Sequence, residues 1–296
     1  MTSSDGWQSA FEAELQGLSP DAGAGFVGVS RLPARSANGR SLQLLQTIES
    51  EIIPRLVLSQ RAIGQTPAAV TALAWAPDEG MVAEFANLVV AEDVGVAAAR
   101  IEGLRAKGVP IETVYLDLLA PTARYLGELW SADLCDFTAV TLGCLRLQQL
   151  LHELSPAFFR EVEHHEHRRR VLLVPVPGEQ HTFGLYMVAE FFRRAGWDVW
   201  SGCMPSRELA QLVSREAFTL VGFSLSADSR LDTLASNIRA VRRASCNRGI
   251  GVLVGGPVFV GHPELVSLVG ADATAHDARQ ATQQAQNTLA LLSRSS

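Results

Sequence analysis

Val171-Leu172-Leu173-Val174-Pro175-Val176, followed by Glu179-Gln180-His181-Thr182-Phe183-Gly184 and a helical pattern from Leu185 to Arg194, is the stretch on which the fold turns. An apolar run, a short loop and an amphipathic stretch read as strand, turn and helix. Two later apolar runs finish in the same way. Phe218 to Ser224 closes in Gly222-Phe223-Ser224-Leu225-Ser226, and Ile250 to Val254 closes in Gly255-Gly256-Pro257. With further strands near 197–201 and 271–275, and helices near 183–195, 205–216, 229–244, 262–269 and 277–293, strand and helix patterns alternate throughout residues 171–296. The expectation is a flavodoxin-like (Rossmann-like), doubly wound, five-stranded parallel sheet. A phosphate-receiver domain shares that topology but needs an acidic residue at the end of its third strand, where Ser224 stands.

Upstream the pattern turns helical. Leu42, Leu44, Leu45, Ile48, Ile52, Ile53, Leu56 and Val57 recur at helical spacing, and helices are expected over Val82 to Lys107, Ile111 to Trp130 and Cys135 to Leu154. Gly108 and Pro110 are stop signals between the first two of these. Residues 41–155 therefore read as a helical bundle, an α part ahead of the α/β part. Residues 1–40, rich in Ser, Gly, Ala and Pro, read as a mobile N-terminal segment, and residues 156–170, with His164-His165-Glu166-His167-Arg168-Arg169-Arg170, as a solvated linker.

The chemistry gathers at the strand ends, where open parallel sheets bind ligands. A carboxylate two residues before a histidine can take the proton of one ring nitrogen. That fixes the tautomer and turns the other nitrogen toward a metal. Gly184 lets backbone approach something bulky, and the hydroxyls of Ser224 and Ser226 and the pair Gly255-Gly256 fall on the same edge. On residue types alone, a lone histidine at a loop such as His181 is more often merely solvated.

Together these residues resemble the cobalamin-binding domain, whose pattern is Asp-x-His-x-x-Gly, then Ser-x-Leu, then Gly-Gly. Residues 185–223 separate Gly184 from Ser224, and residues 227–254 separate Ser226 from Gly255, close to the family's spacing. The resemblance implies that His181 is the lower cobalt ligand, that Ser224 contacts the displaced nucleotide tail, and that Gly255 and Gly256 leave room for it. Thr182, Phe183, Val258 and Phe259 are then expected beside the corrin edge. Glu179 replaces the family's Asp and can still accept the imidazole proton. Ser226 replaces Leu and makes the tail pocket more polar.

The helical part is the natural cover for the ring's upper face. Trp130, at a helix end before Ser131-Ala132-Asp133, is a rigid side chain able to lie over a flat ligand, or a core tryptophan between helices. With the cobalamin motif, this region looks like the cap of B12-dependent photoreceptors. Their Glu-His pair is replaced here by Val140-Thr141, and Ser131 stands where some relatives carry a histidine. Those departures favour hydroxocobalamin or aquocobalamin, with adenosylcobalamin the other candidate. The blocks Gly184 to Trp197, Gly222 to Ser226, Val254 to Phe259, and Asp136-Phe137 through Arg146-Leu147-Gln148 are similar to the AerR/PpaA antirepressors. That resemblance implies a non-enzymatic, light-responsive regulator of photosynthesis genes, acting through a PpsR/CrtJ-type repressor. The alternative is the corrinoid methyl carrier of a methyltransferase system.

Composition narrows the classes. Hydrophobic residues make up 47% and charged residues 19%, as in a globular protein, and the net charge of −6 argues against direct DNA binding except through the partner. Cys135, Cys144, Cys203 and Cys246 are too scattered for metal-ligand spacing, and no apolar run reaches membrane-spanning length. A cytoplasmic protein is expected.

Overall fold

Strands buried on both faces need apolar side chains in both alternating sets, and the three central runs supply them. The computed structural model describes residues 75–160 and 169–295. Five parallel strands, β1 (Arg169–Pro175), β2 (Trp197–Ser201), β3 (Leu220–Ser224), β4 (Gly251–Gly255) and β5 (Ala273–Ala275), lie in the order β2-β1-β3-β4-β5. This is the expected flavodoxin-like sheet. Pro175 is in register with Ser224, and Ser224 with Gly255, so the loops that follow β1, β3 and β4 start at one level.

Two helical layers cover the sheet. Val171, Leu173, Leu220 and Leu253 face α5 (Phe183–Arg194) and α9 (Ala278–Ser295). Leu172, Val174, Val221, Phe223, Val252 and Val254 face α6 (Ser206–Arg215), α7 (Leu231–Ala244) and α8 (Glu264–Val269). Strand and helix positions agree with the sequence expectation to within a few residues.

The N-terminal helical region comprises α1 (Glu79–Ala91), α2 (Val94–Ala106), α3 (Ala120–Ser131) and α4 (Phe137–Arg160). The single helix expected over Val82 to Lys107 is two. Asp93 leaves helical geometry and its carboxylate caps Gly95 N at 2.8 Å, starting a new helix where periodicity alone read straight on. A π-helical segment, Val114–Leu119, leads into α3 just ahead of Pro121. Helix α4 continues through Pro156 to Arg160, beyond the expected end at Leu154.

The last turn of α4 explains its own persistence. Phe158 is fully buried; its ring stacks on Tyr115 with centroids 4.5 Å apart and meets Phe191 of α5 at 5.0 Å. Such burial contributes roughly 2–3 kcal/mol, similar to the roughly 3 kcal/mol a mid-helix proline costs. Around this aromatic joint, Arg194 lies 4.3 Å over the Phe158 ring and pairs with Glu112, which also meets Arg279. Buried Glu190 accepts from Ser155 and Arg193. The joint fastens the bundle to the α5 and α9 side of the sheet. The expected mobile segment 1–40, the helical pattern of Leu42 to Val57 and the histidine cluster at 164–167 lie outside the described residues.

Candidate cofactor site

Beyond β1, Pro177-Gly178 makes a tight turn closed by Glu179 N donating to Val176 O at 2.8 Å, with Gly178 at φ 85°. Proline followed by a glycine of positive φ is the usual composition of such a turn. It folds the chain back so that the Glu179 side chain points inward, only 2% exposed. Both carboxylate oxygens are saturated. Oε1 accepts from Gln180 N and His181 N, both at 2.9 Å, and faces His181 Nδ1 at 2.7 Å. Oε2 accepts from Ser226 N at 2.7 Å and Ser226 Oγ at 2.6 Å.

Burial alone would push the Glu179 carboxyl up. The Ser226 hydroxyl, the His181 and Ser226 amides and the imidazole together outweigh it and hold it at about 2. The carboxylate is therefore ionised and acts only as an acceptor. Nδ1 of His181 must carry the proton, which Ser226 Oγ, 2.9 Å away, also faces. Nε2 has no hydrogen-bond partner among the described residues, on a side chain that is 71% exposed. An imidazole with one nitrogen pinned by a carboxylate and the other bare is a preorganised metal ligand.

Ser226 is thus not simply a polar substitution in a tail pocket: its amide and hydroxyl complete the clamp on Glu179. The sequence reading missed that role. Only the pairing of β3 beside β1 brings the two loops together.

Small residues stand next to this set. Ser224, Gly255 and Ala275 stand in register on β3, β4 and β5, on the face covered by α5 and α9. Ser224 Oγ is buried and has no hydrogen-bond partner among the described residues, an uncommon state for a buried hydroxyl. A Cβ on Gly184, at the start of α5, would meet nothing within 4 Å, and one on Gly255 only Ala275 O at 3.8 Å. An orphan donor among small residues suits a polar ligand segment inserted along the sheet.

The other candidates fall in several places. Gly256 has φ 112°, and a Cβ there would sit 2.1 Å from Leu225 O, so the backbone itself requires glycine. Phe259 is buried, and Val258 half-buried, in the cluster on the opposite face of the sheet, where they anchor the loop. Thr182 is buried at the start of α5, and half-buried Phe183 packs against the bundle cluster. Trp130 is not in the bundle core; it is 48% exposed at the end of α3. The turn after it is closed by Leu134 N donating to Leu129 O and Asp133 N donating to Trp130 O, with Asp133 at φ 55°. This left-handed helix stop displays Leu134, 74% exposed, and leads to Phe137, 56% exposed.

Residues 169–285 match the family model of the B12 binding domain. The α/β half is a B12-binding domain. An uncharacterised 20.5 kDa protein in the bchF–crtJ intergenic region of Rhodobacter capsulatus is 29% identical over 174 residues, covering 58% of this chain and 90% of that protein. Among solved structures, the monomethylamine corrinoid protein of Methanosarcina barkeri matches with a TM-score of 0.58 at 14% identity, over 70% of this chain and 96% of its own. That likeness is one of fold. No helix among the described residues is long and apolar enough to cross a membrane.

The residues present fit a corrinoid. His181 would hold cobalt from below through Nε2, Glu179 and Ser226 would fix the imidazole, and Ser224, Gly255 and Gly184 would admit the tail. The cofactor would supply a cobalt whose upper ligand can be exchanged.

Proposed function

We propose that this protein binds cobalamin with His181 as the lower ligand and acts as a light-responsive, non-enzymatic regulator of photosynthesis genes through a PpsR/CrtJ-type repressor. The Glu179–His181–Ser226 clamp carries the cofactor part of this reading. The regulatory part draws on the Rhodobacter capsulatus relative, whose gene lies next to crtJ by name. Exchange of an alkyl upper ligand for a hydroxo one, as light drives it, would change what the ring's upper face can pack against, and so shift populations of the partner-binding surface. Hydroxocobalamin is the favoured form, because Val140-Thr141 offers no Glu-His pair to an adenosyl group.

A second reading, a corrinoid methyl carrier, has its own support. The solved relative that matches both the bundle and the sheet is by name a corrinoid protein for a methylamine, which bears on this output more directly than a gene position does. One experiment separates them. Protein loaded with hydroxocobalamin or adenosylcobalamin, dark and lit, is gel-filtered, its visible spectrum recorded, and then added to repressor bound to its DNA. Retained corrinoid with altered repressor occupancy, both lost in His181→Ala, is expected. Full corrinoid retention in His181→Ala would overturn the lower-ligand role. An unmoved repressor, with a methyl group accepted on the reduced cobalt from a methyltransferase partner, would transfer the function to carriage.

A further inference from the structure

Arg230 ends a 3-10 turn, Asp228–Arg230, just beyond β3. Its guanidinium crosses to the loop after β1 and lies over Gly178: a Cβ at that glycine would be 3.2 Å from Nε and 3.6 Å from Nη2. The missing side chain at 178, which the tight turn also requires, makes the space in which the guanidinium rests. Arg230 is half-buried. Arg170, Arg193, Arg194, Arg242 and Arg279 all face carboxylates. The Arg230 guanidinium has no hydrogen bond or ion pair among the described residues. A partly desolvated cation without a counter-ion is unfavourable, so its persistence across a binding loop implies an anion that arrives with the ligand.

Cobalamin narrows the choice. Its corrin periphery carries neutral carboxamides, and its one anionic group outside the ring is the phosphodiester of the nucleotide tail. We propose that Arg230 is a cofactor-anchoring residue that grips this phosphodiester through its fork of N–H donors, close to the turn that aims Glu179 and His181. The proposal rests on the corrinoid reading and adds a charged hold on the tail to the neutral hydroxyl of Ser224.

The test compares cobalamin with cobinamide, which keeps the corrin and its carboxamides but lacks the phosphate and nucleotide. Each is titrated into wild type, Arg230→Gln and Arg230→Lys, and binding is read from the visible spectrum. Arg230→Gln is expected to weaken cobalamin by about tenfold or more, the usual size of a hydrogen bond to a charged group. Its cobinamide affinity should stay at the wild-type value, and Arg230→Lys should fall between the two for cobalamin. An equal loss for both corrinoids would mean that Arg230 merely supports the loop or meets a carboxamide, and would overturn the proposal. No loss for either would overturn it too. Wild type that binds neither corrinoid would instead sink the cofactor reading itself, and this one with it.

Discussion

The clamp at the strand ends and the tip of the bundle are built on opposite terms. At the clamp, five donors converge on the Glu179 carboxylate, so that one imidazole nitrogen is committed and the other left bare. At the tip, Trp130, Leu134 and Phe137 stand in solvent on a rigid helix stop, with apolar surface uncovered. The first is complete within the chain. Between them, the aromatic joint at Phe158 holds the bundle to the sheet. Polar groups are therefore fully committed at one end, while apolar surface stays exposed at the other.

The joint is where the largest effect is expected. Phe158→Ala removes the stack on Tyr115, the contact with Phe191 and the Arg194 cation lying over the ring. Truncations of this kind cost about 3–5 kcal/mol. Urea unfolding should show it as a lower midpoint. A loss under about 1 kcal/mol, within reach of ordinary single substitutions, would mean that the Glu112 and Glu190 ion pairs hold the two regions together.

Next comes the clamp. Glu179 is held at about 2, against an ordinary 4.5, so its contribution to stability is fully present above pH 4.5 and is lost as pH falls toward 2. Glu179→Gln in the cofactor-free protein should abolish that acid-dependent part. It should also lower stability at neutral pH by about 1–3 kcal/mol, since an amide cannot accept all five donors. Thermal melts from pH 3 to 7 check this. Parallel wild-type and variant curves would show that the carboxylate is not the acid-sensitive group.

What the sequence could reveal follows the same division. The sheet was legible because β1, β3 and β4 are continuous apolar runs, and such runs follow from burial on both faces. Glu179 and His181 were legible because a carboxylate two residues from an imidazole is a local pattern. Ser226 was not, being 47 residues from Glu179 in the chain and brought there by strand register alone. Phe259 looked like a ligand neighbour because it follows the double glycine; only packing shows that its ring belongs to the opposite layer. Asp93 hid a helix start inside an unbroken period, and the helix expected to end at Leu154 runs on through Pro156 to Arg160, where Phe158 is buried.

The smallest effect on the free protein is expected at the tip, and it sharpens the contrast most. Trp130 is half in solvent, so Trp130→Ala should destabilise the cofactor-free protein by only about 1 kcal/mol, the usual size for a single substitution. The loaded protein should behave differently. Covering the exposed half of the ring, roughly 100 Å2, would be worth about 2.5 kcal/mol. If the corrinoid's upper face is what covers it, the melting-temperature gain on loading with hydroxocobalamin will be visibly smaller in Trp130→Ala than in wild type. An equal gain in both would separate the tip from the cofactor and leave Trp130, Leu134 and Phe137 as a surface for a protein partner.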